Sequence, residues 1–356
     1  MLKLFVALFL LFAAGGESNF FPYAHGWLGA DAAYSIPLDR TSTVWLFGDT
    51  FIGARREPST MIHNSIALRR CHKDGCQVTY WWSGMHTQHG SSFFQTPESD
   101  YYWPLDGFVY RNNLYVFLEQ MHTTGDGGAF GFDYSGITLA TVANFSASPA
   151  KWKVSYRTIS TGNPVVPGIA AVIPAEQSAA GYLYTFTLFR KSAPEPFAGL
   201  MRVPLADLAG MDRLPHWQYL AEGSQWLAWK RSTSPANALQ LLKGNITEMS
   251  VAFHAARQRW IAVYPTPGFL SNTASYSTAG KLTGPWKESR TLFRYPEMQK
   301  EDPRYTPRVF CYAAKEHPEL ETDSRLAITY ACNSTTEQEI LRDMRLYHPE
   351  LVVLGL

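Results

Sequence analysis

Apolar and β-branched residues in this chain come in short runs, about five to eight residues each, rich in Val, Ile, Tyr, Phe, Trp and Thr and cut by Gly, Pro, Asn and Asp. The 3.6-residue period of an amphipathic helix is almost nowhere sustained, so the pattern predicts an all-β fold. The runs pair into hairpins. "DAAYSIPLDRTSTVWLFGD" starts at Asp31, "DGFVYRNNLYVFLEQM" at Asp106, "GIAAVIPAEQSAAGYLYTFTLF" at Gly168, "EMSVAFHAARQRWIAVY" at Glu248 and "RVFCYAAKEHPELETDSRLAITYACN" at Arg308, about 60 to 80 residues apart. Three of them lead into a further strand and a Trp-bearing turn, at Trp152, Trp217 and Trp286. A unit of three or four strands repeated five times predicts a five-bladed β-propeller. One such sheet cannot bury both its faces, but neighbours in a closed ring bury them for each other. The segment "MRLYHPELVVLGL" has no following hairpin and is expected to add outer strands to blade five or to close the ring on blade one. Two β-sandwiches are the alternative architecture. No Pro-, Gly- or Ser-rich linker divides the chain, so residues 17–356 are expected to form a single domain.

The first sixteen residues break this pattern. Lys3 precedes the apolar run Phe5 to Phe12, and Ala14-Gly15-Gly16 supplies small residues for cleavage. That order predicts a signal peptide over 1–16 and a secreted protein. No later stretch is apolar for about 18 residues, so no membrane association is expected after cleavage. Formal net charge is +1, which gives no electrostatic reason to expect a nucleic-acid partner, and a monomer is expected. The four cysteines suit export. Cys71 and Cys76 flank the turn-like "HKDG", while Cys311 and Cys332 lie in two strand-like runs. Local pairing is the simplest of three connectivities, and the spacing does not fit a cysteine zinc site. Asn144, Asn245 and Asn333 begin glycosylation sequons.

Carboxylates at strand ends supply the candidate chemistry. With the first turn centred near Arg40, Asp31 should face Asp49; with Asn112-Asn113 as the second turn, Asp106 should face Glu119. Directly opposed acids destabilise a sheet and make a second ionisation harder. An acid at a strand end is ordinarily solvated or caps a turn. Three of five hairpins begin with one, however, and if these are innermost strands their open ends converge on the axis. Asp31, Asp49, Asp106, Glu119 and Glu248 would then line one pocket, for chemistry or for a cation.

The segments "VWLFGDTF", "HNSIAL", "PLDGFVYRNNLYVFL" and "SYSTAGKLTGPW" give the chain a family likeness. Over residues 25 to 335 it resembles secreted five-bladed propellers of the furanosidase type, most nearly the bacterial domain-of-unknown-function family that includes endo-D-arabinanases. The "GPW" turn also resembles arabinanase and xylosidase propellers. The resemblance implies a glycoside hydrolase with three axial carboxylates, an Asp in blade one, an Asp in blade two and a Glu in blade three. Asp31, with Asp49 as its rival, matches the first and Asp106 the second. Blade three starts at Gly168 and offers no acid, so the Glu falls to Glu248 in blade four. On that basis Glu248 is the expected general acid, Asp31 the nucleophile or base, and Asp106 the group that orients the acid.

Sugar contacts are expected from nearby aromatics. The chain is rich in them, with 11 Trp and 19 Tyr, and Trp103, close before Asp106, is the preferred stacking platform. Tyr102, Trp82, His63 and Asn64 join it as candidates, although Trp81 and Trp82 suit core packing equally. "YWWSGMHTQHG" adds His86 and His89, and Arg55-Arg56 reads as a solvated loop. No cofactor is implied. The Gly-rich segment holding Asp126 and Asp133 could ligate calcium, as could the pocket, but a rim loop is the simpler reading. No phosphate-binding Gly loop, G-x-S-x-G elbow or sialidase-type repeat is present. The expected partner is a poly- or oligosaccharide. The main reading is a hydrolase of a furanose-containing, arabinan-like glycan; the alternative is a propeller that binds carbohydrate without turnover, and a protein-interaction propeller stands third.

Overall fold

The computed structural model describes residues 20–54, 60–85, 90–96, 100–125, 131–162, 165–174, 181–190, 194–209, 216–230, 233–268, 271–321 and 325–356. The expected signal peptide, Arg55-Arg56, His86, His89 and Asp126 lie outside them. Five antiparallel sheets follow one another along the chain. Blade one contains β1 (Trp27–Pro37), β2 (Ser42–Ile52), β3 (Thr60–Ile62), β4 (Ser65–His72) and β5 (Gly75–Trp81). Blade two contains β6 (Tyr101–Tyr110), β7 (Asn113–Thr123), β8 (Phe132–Val142) and β9 (Val154–Thr161). Blade three contains β10 (Val165–Val172), β11 (Tyr182–Phe189), β12 (Phe197–Pro204), β13 (Gln218–Ala221), β14 (Gln225–Ala228) and β15 (Leu242–Lys243). Blade four contains β16 (Ser250–His254), β17 (Arg259–Pro265), β18 (Thr273–Ala279) and β19 (Arg290–Arg294), and blade five β20 (Val309–Glu316), β21 (Arg325–Ser334) and β22 (Glu350–Gly355).

The first strand of each blade is innermost. These strands touch in the cycle β1–β6–β10–β16–β20–β1, which makes the architecture a five-bladed β-propeller. The second strands β2, β7 and β11 are buried along nearly their whole length, because adjacent blades cover both faces. That double burial is why "VWLFGD" and "YLYTFTLF" read as unbroken apolar runs. Strands β5 and β9, farther from the axis, are mostly exposed or half-buried.

The repeated tryptophans join the blades. Trp152 packs edge-on against Phe93, Trp217 against Phe117 and Trp286 against Phe186, so each reaches an aromatic earlier in the chain. Trp152 and Trp286 also donate from Nε1 to Ala147 O (3.0 Å) and Leu282 O (3.1 Å), which pins their own turns. Both disulfides pair as the local reading expects. Cys71–Cys76 and Cys311–Cys332 each bridge directly opposed strand residues, with Cα atoms 4.0 Å apart.

The C-terminal segment does both things expected of it. β22 is the outer strand of blade five, and the turn Met344–Tyr347 packs against β1. There His348 Nε2 lies 2.7 Å from Phe21 O, and Gly29 passes so close to Tyr347 O that an added Cβ would come within 2.5 Å.

Two register expectations need correction. The β6–β7 turn is Arg111-Asn112, both at positive φ (45° and 62°), not Asn112-Asn113. A two-residue loop of this kind requires left-handed backbone at both central positions. The ladder shifts accordingly, and Glu119 pairs with Trp103 instead of Asp106. In blade one the ladder near the turn is as expected, from Pro37↔Thr43 to Tyr34↔Leu46. Beyond Tyr34 the register shifts, so Asp31 lies in a bulge opposite Gly48 and Asp49 without pairing to either.

Candidate active site

Bulges recur at the same level of the innermost hairpins. In β6–β7 the register shifts between Pro104 and Gly107, in β10–β11 between Pro167 and Ala170, and in β20–β21 between Tyr312 and Lys315. A bulge frees one or two residues from the ladder and re-aims their side chains. Asp31 and Asp106 sit in two of these bulges. Gly168 occupies the third at φ +96°, where an added Cβ would lie 2.3 Å from the Phe117 ring. Only glycine fits there without strain, which accounts for the acid that blade three does not offer. Glu248 precedes β16, at the same end of its hairpin.

Four carboxylates converge on the axis, each half-buried, so that each keeps some accessible surface while packed round by protein. Asp31 Oδ2 accepts hydrogen bonds from the Tyr312 hydroxyl (2.6 Å) and the Tyr347 hydroxyl (2.8 Å). Burial, then the charges of Asp49 and Glu248, raise its pKa to about 8, against the two tyrosine donors. Asp106 is clamped by backbone, its Oδ1 accepting from Gly107 N and its Oδ2 from Ala171 N, both at 2.7 Å. Burial raises it to about 7, opposed by those two N–H groups and by Lys315.

Glu248 forms an ion pair with Lys315, Nζ to Oε1 3.0 Å. The Lys315 ammonium is buried, lies 4.2 Å from the centre of the Tyr34 ring, and feels the charges of Glu248, Asp31 and Asp106. Burial nevertheless pushes its pKa down. It acts as the common counter-charge of the acids contributed by blades one, two and four.

Asp49 has a different setting. Its Oδ1 accepts from Trp103 Nε1 (2.9 Å) and lies 3.0 Å from His63 Nδ1. The His63 ring stacks on Tyr101 at 3.7 Å, and Tyr101 meets Trp103 edge-on. Phe132 completes the aromatic group against Trp103. This rim is where the sequence placed its sugar platform.

The other candidates fall elsewhere. Strand alternation turns Tyr102 away from Tyr101 and Trp103 into the interior, against Tyr156. Asn64 is wholly buried and structural. It donates to Phe94 O and Tyr102 O and accepts from Phe94 N, tying blade one to blade two. Trp82 belongs to the core under blade one with Trp27, Tyr80 and Ile52. Glu119 is buried in an ion pair with Arg190 (2.9 Å). The sites expected of Tyr102, Asn64 and Trp82 are thus corrected to packing, and that of Glu119 to pairing with blade three. Asp133, which the Gly-rich reading offered to calcium, is exposed and accepts from Tyr134 N.

A family model described as Domain of unknown function (DUF5005) matches residues 18–352. The chain belongs to that family. No curated protein matches it. Among solved structures, a Bacteroides ovatus ATCC 8483 protein provisionally described as a hydrolase superposes with a TM-score of 0.71 at 16% identity, over 92% of this chain and 85% of that one. A xylan β-1,4-xylosidase from Bacillus halodurans C-125 gives 0.49 at 11% identity; it is covered over 52% of its length against 92% here, so the chain spans about half of it. A GH43_1 enzyme of Xanthomonas citri complexed with xylotriose gives 0.48 at 13%, over 93% of this chain and 88% of that one. The first of these shares the fold; the other two are more distant.

For this DUF5005 chain, sequence reading missed Lys315, Tyr312, Tyr347 and Arg190. A lone Lys in "CYAAKEH" carries no local signal. What could have pointed to it is its hairpin, since Arg308 opens the fifth repeat as Asp31 opens the first.

Proposed function

We propose that this protein is a secreted glycoside hydrolase acting on a furanose-containing, arabinan-like glycan. The observation that carries the proposal is the contrast between two carboxylates at the open end of one hairpin. Asp31 is recessed and holds a proton near neutrality, and its raised pKa owes part to Asp49. Asp49 faces an aromatic rim that orients it through Trp103 and His63. Environments that separate two acids in this way supply the donor and the acceptor of glycoside cleavage.

In this scheme Asp31 protonates the leaving oxygen. Asp49 acts as base on water or as nucleophile. Asp106, fixed by two N–H groups, and Glu248, paired with Lys315, set the local field. This division differs from the expectation that Glu248 is the acid, and the reason is Lys315: an ammonium at 3.0 Å competes for that carboxylate. Trp103 and Tyr101 supply the stacking surface for the sugar. The furanose class rests on the resemblance carried by "VWLFGDTF" and "HNSIAL". Two disulfides are compatible with secretion; removal of residues 1–16, leaving 17–356 as a single domain, is part of the same proposal.

A second reading is a propeller that binds carbohydrate without turnover, favoured by Gly168 in place of a blade-three acid and by the neutralisation of Glu248. Release of reducing ends from arabinans and arabinogalactans tests the two. Product formation that disappears in Asp31→Asn and Asp49→Asn, both folded, supports the hydrolase. Tight binding with no product from any glycan supports the second reading.

A further inference from the structure

At the far end of β16 from Glu248, three potential ligands meet between blades four and five. His254 ends β16, Glu316 ends β20, and Glu321 follows shortly after. One ligand atom from each lies within 4.8 Å of the others. His254 Nε2 is 2.8 Å from Glu316 Oε1, and His254 Nδ1 is 3.5 Å from Glu321 Oε2. An ion can take only one of the two ring nitrogens. Two ligands at about 2.0–2.1 Å from a tetrahedral ion stand roughly 3.3 Å apart, so the three donor atoms, one from each residue and all within 4.8 Å, need to close by about an ångström around it.

A second observation separates this group from an ordinary acidic cluster. The Glu316 side chain is 0% exposed, and among the described residues no N–H or hydroxyl donor bonds either of its oxygens, which meet only the carboxyl group of Glu321 and the misaligned His254 ring. His254 Nε2 and Glu321 Oε1 are likewise buried and without such a donor. Nε2 is close to Oε1, yet the pair is not aligned as an N–H···O bond. Burying a carboxylate without donors is costly, and an aligned donor or a cation relieves that cost. Arg257 is the nearby positive charge and Glu319 adds a further negative one, so carboxylates outnumber guanidinium around the site.

We infer that His254, Glu316 and Glu321 form a binding site for a first-row divalent transition-metal ion of the Zn2+ type, joining blade four to blade five. One imidazole with two carboxylates suits such an ion, whereas Ca2+ takes six to eight oxygens. Glu321 is the most exposed of the three, which leaves the remaining coordination position on the solvent side. The ion would act as a cross-link in the ring, and it does not depend on the glycosidase reading of the opposite end.

The test uses the full processed chain, stripped with a chelator and titrated with Zn2+ alone, Ca2+ alone and Mn2+ alone. The expected result is one Zn2+ per chain by calorimetry and metal analysis, with a Tm rise of about 3 °C or more at saturation. Ca2+ should give none. His254→Gln and Glu316→Gln should each weaken Zn2+ binding by at least about 10–100-fold. Should these buried variants fail to fold, Glu321→Gln, at the more exposed ligand, should show the same loss. Asp31→Asn should bind as the unaltered protein does. Absence of Zn2+ binding, an equal response to Ca2+, or loss of binding in Asp31→Asn with retention in Glu321→Gln overturns the assignment.

Discussion

The hairpins of blades one and three share a backbone device and differ in what they place on it. Both break register at the same level, Asp31 in one and Gly168 in the other. In blade one the bulge aims a carboxylate at the axis. In blade three the bulge brings backbone against Phe117 so closely that no side chain fits. Blade three contributes instead through its main chain, since Ala171 N clamps Asp106 and Ile169 O receives the Tyr34 hydroxyl. The bulge is therefore the repeated scaffold, and chemistry is assigned blade by blade by the residue it frees.

The strongest test of that contrast is to remove the freed acid. Asp31→Asn should lower turnover of a cleavable arabinan by about 10²–10⁴-fold, with Tm kept or raised. A fall of less than tenfold would remove Asp31 from the chemistry. Loss of the counter-charge comes next. Lys315→Met strands Glu248 in the interior and should cost about 3–5 kcal/mol in denaturant unfolding, part of which the double variant with Glu248→Gln should restore. If the single variant is neutral, the pair is not the electrostatic centre described above.

In blade three, Gly168→Ala meets both positive φ and the Phe117 ring. It should destabilise by about 1–3 kcal/mol, whereas the same change at Gly125, with nothing within 4 Å, should cost less. The pH dependence follows from the sign of the shifts. Asp31 and Asp106 stay protonated in the folded chain where the unfolded chain has already ionised. Their burial therefore costs stability that grows as pH rises from about 4 towards the values of about 8 and about 7. Asp31→Asn should exceed the unaltered protein in Tm by about 2 °C or more at pH 8, and the gap should close by pH 4. A gap that is constant with pH removes the raised acid from the scheme. The smallest effect belongs to the rim, where Trp103→Phe keeps an aromatic face but removes the donor to Asp49, and KM should rise a few-fold.

Much of the fold was legible because the repeat is local. Hairpin spacing, central strands buried on both faces and one Trp turn in each of three blades are all written within about 70 residues of sequence. The cluster of carboxylates was legible only where a residue's own hairpin announced it, as with Asp31, Asp49, Asp106 and Glu248. Register failed at Arg111-Asn112, since Arg is not an obvious residue for left-handed backbone and the slip of the whole β6–β7 ladder follows from that one turn. Lys315 and Tyr347 escaped because they reach the acids only by ring closure, a relation between distant parts of the chain that no local pattern encodes. Tyr102 and Trp103, adjacent in sequence and opposite in fate, show how one step along a strand decides between core and rim.

Tyr347 lies 316 residues downstream of the aspartate it binds. A nascent chain emerging from the ribosome or an export channel would carry Asp31 from the outset, yet it could not hold that acid in its working state until nearly all of the polypeptide had arrived. Any reaction at this centre would thus be withheld from partly synthesised molecules, and proteolytic removal of the segment from Met344 onward would strip Asp31 of one of its two hydroxyl partners without touching a single reacting group.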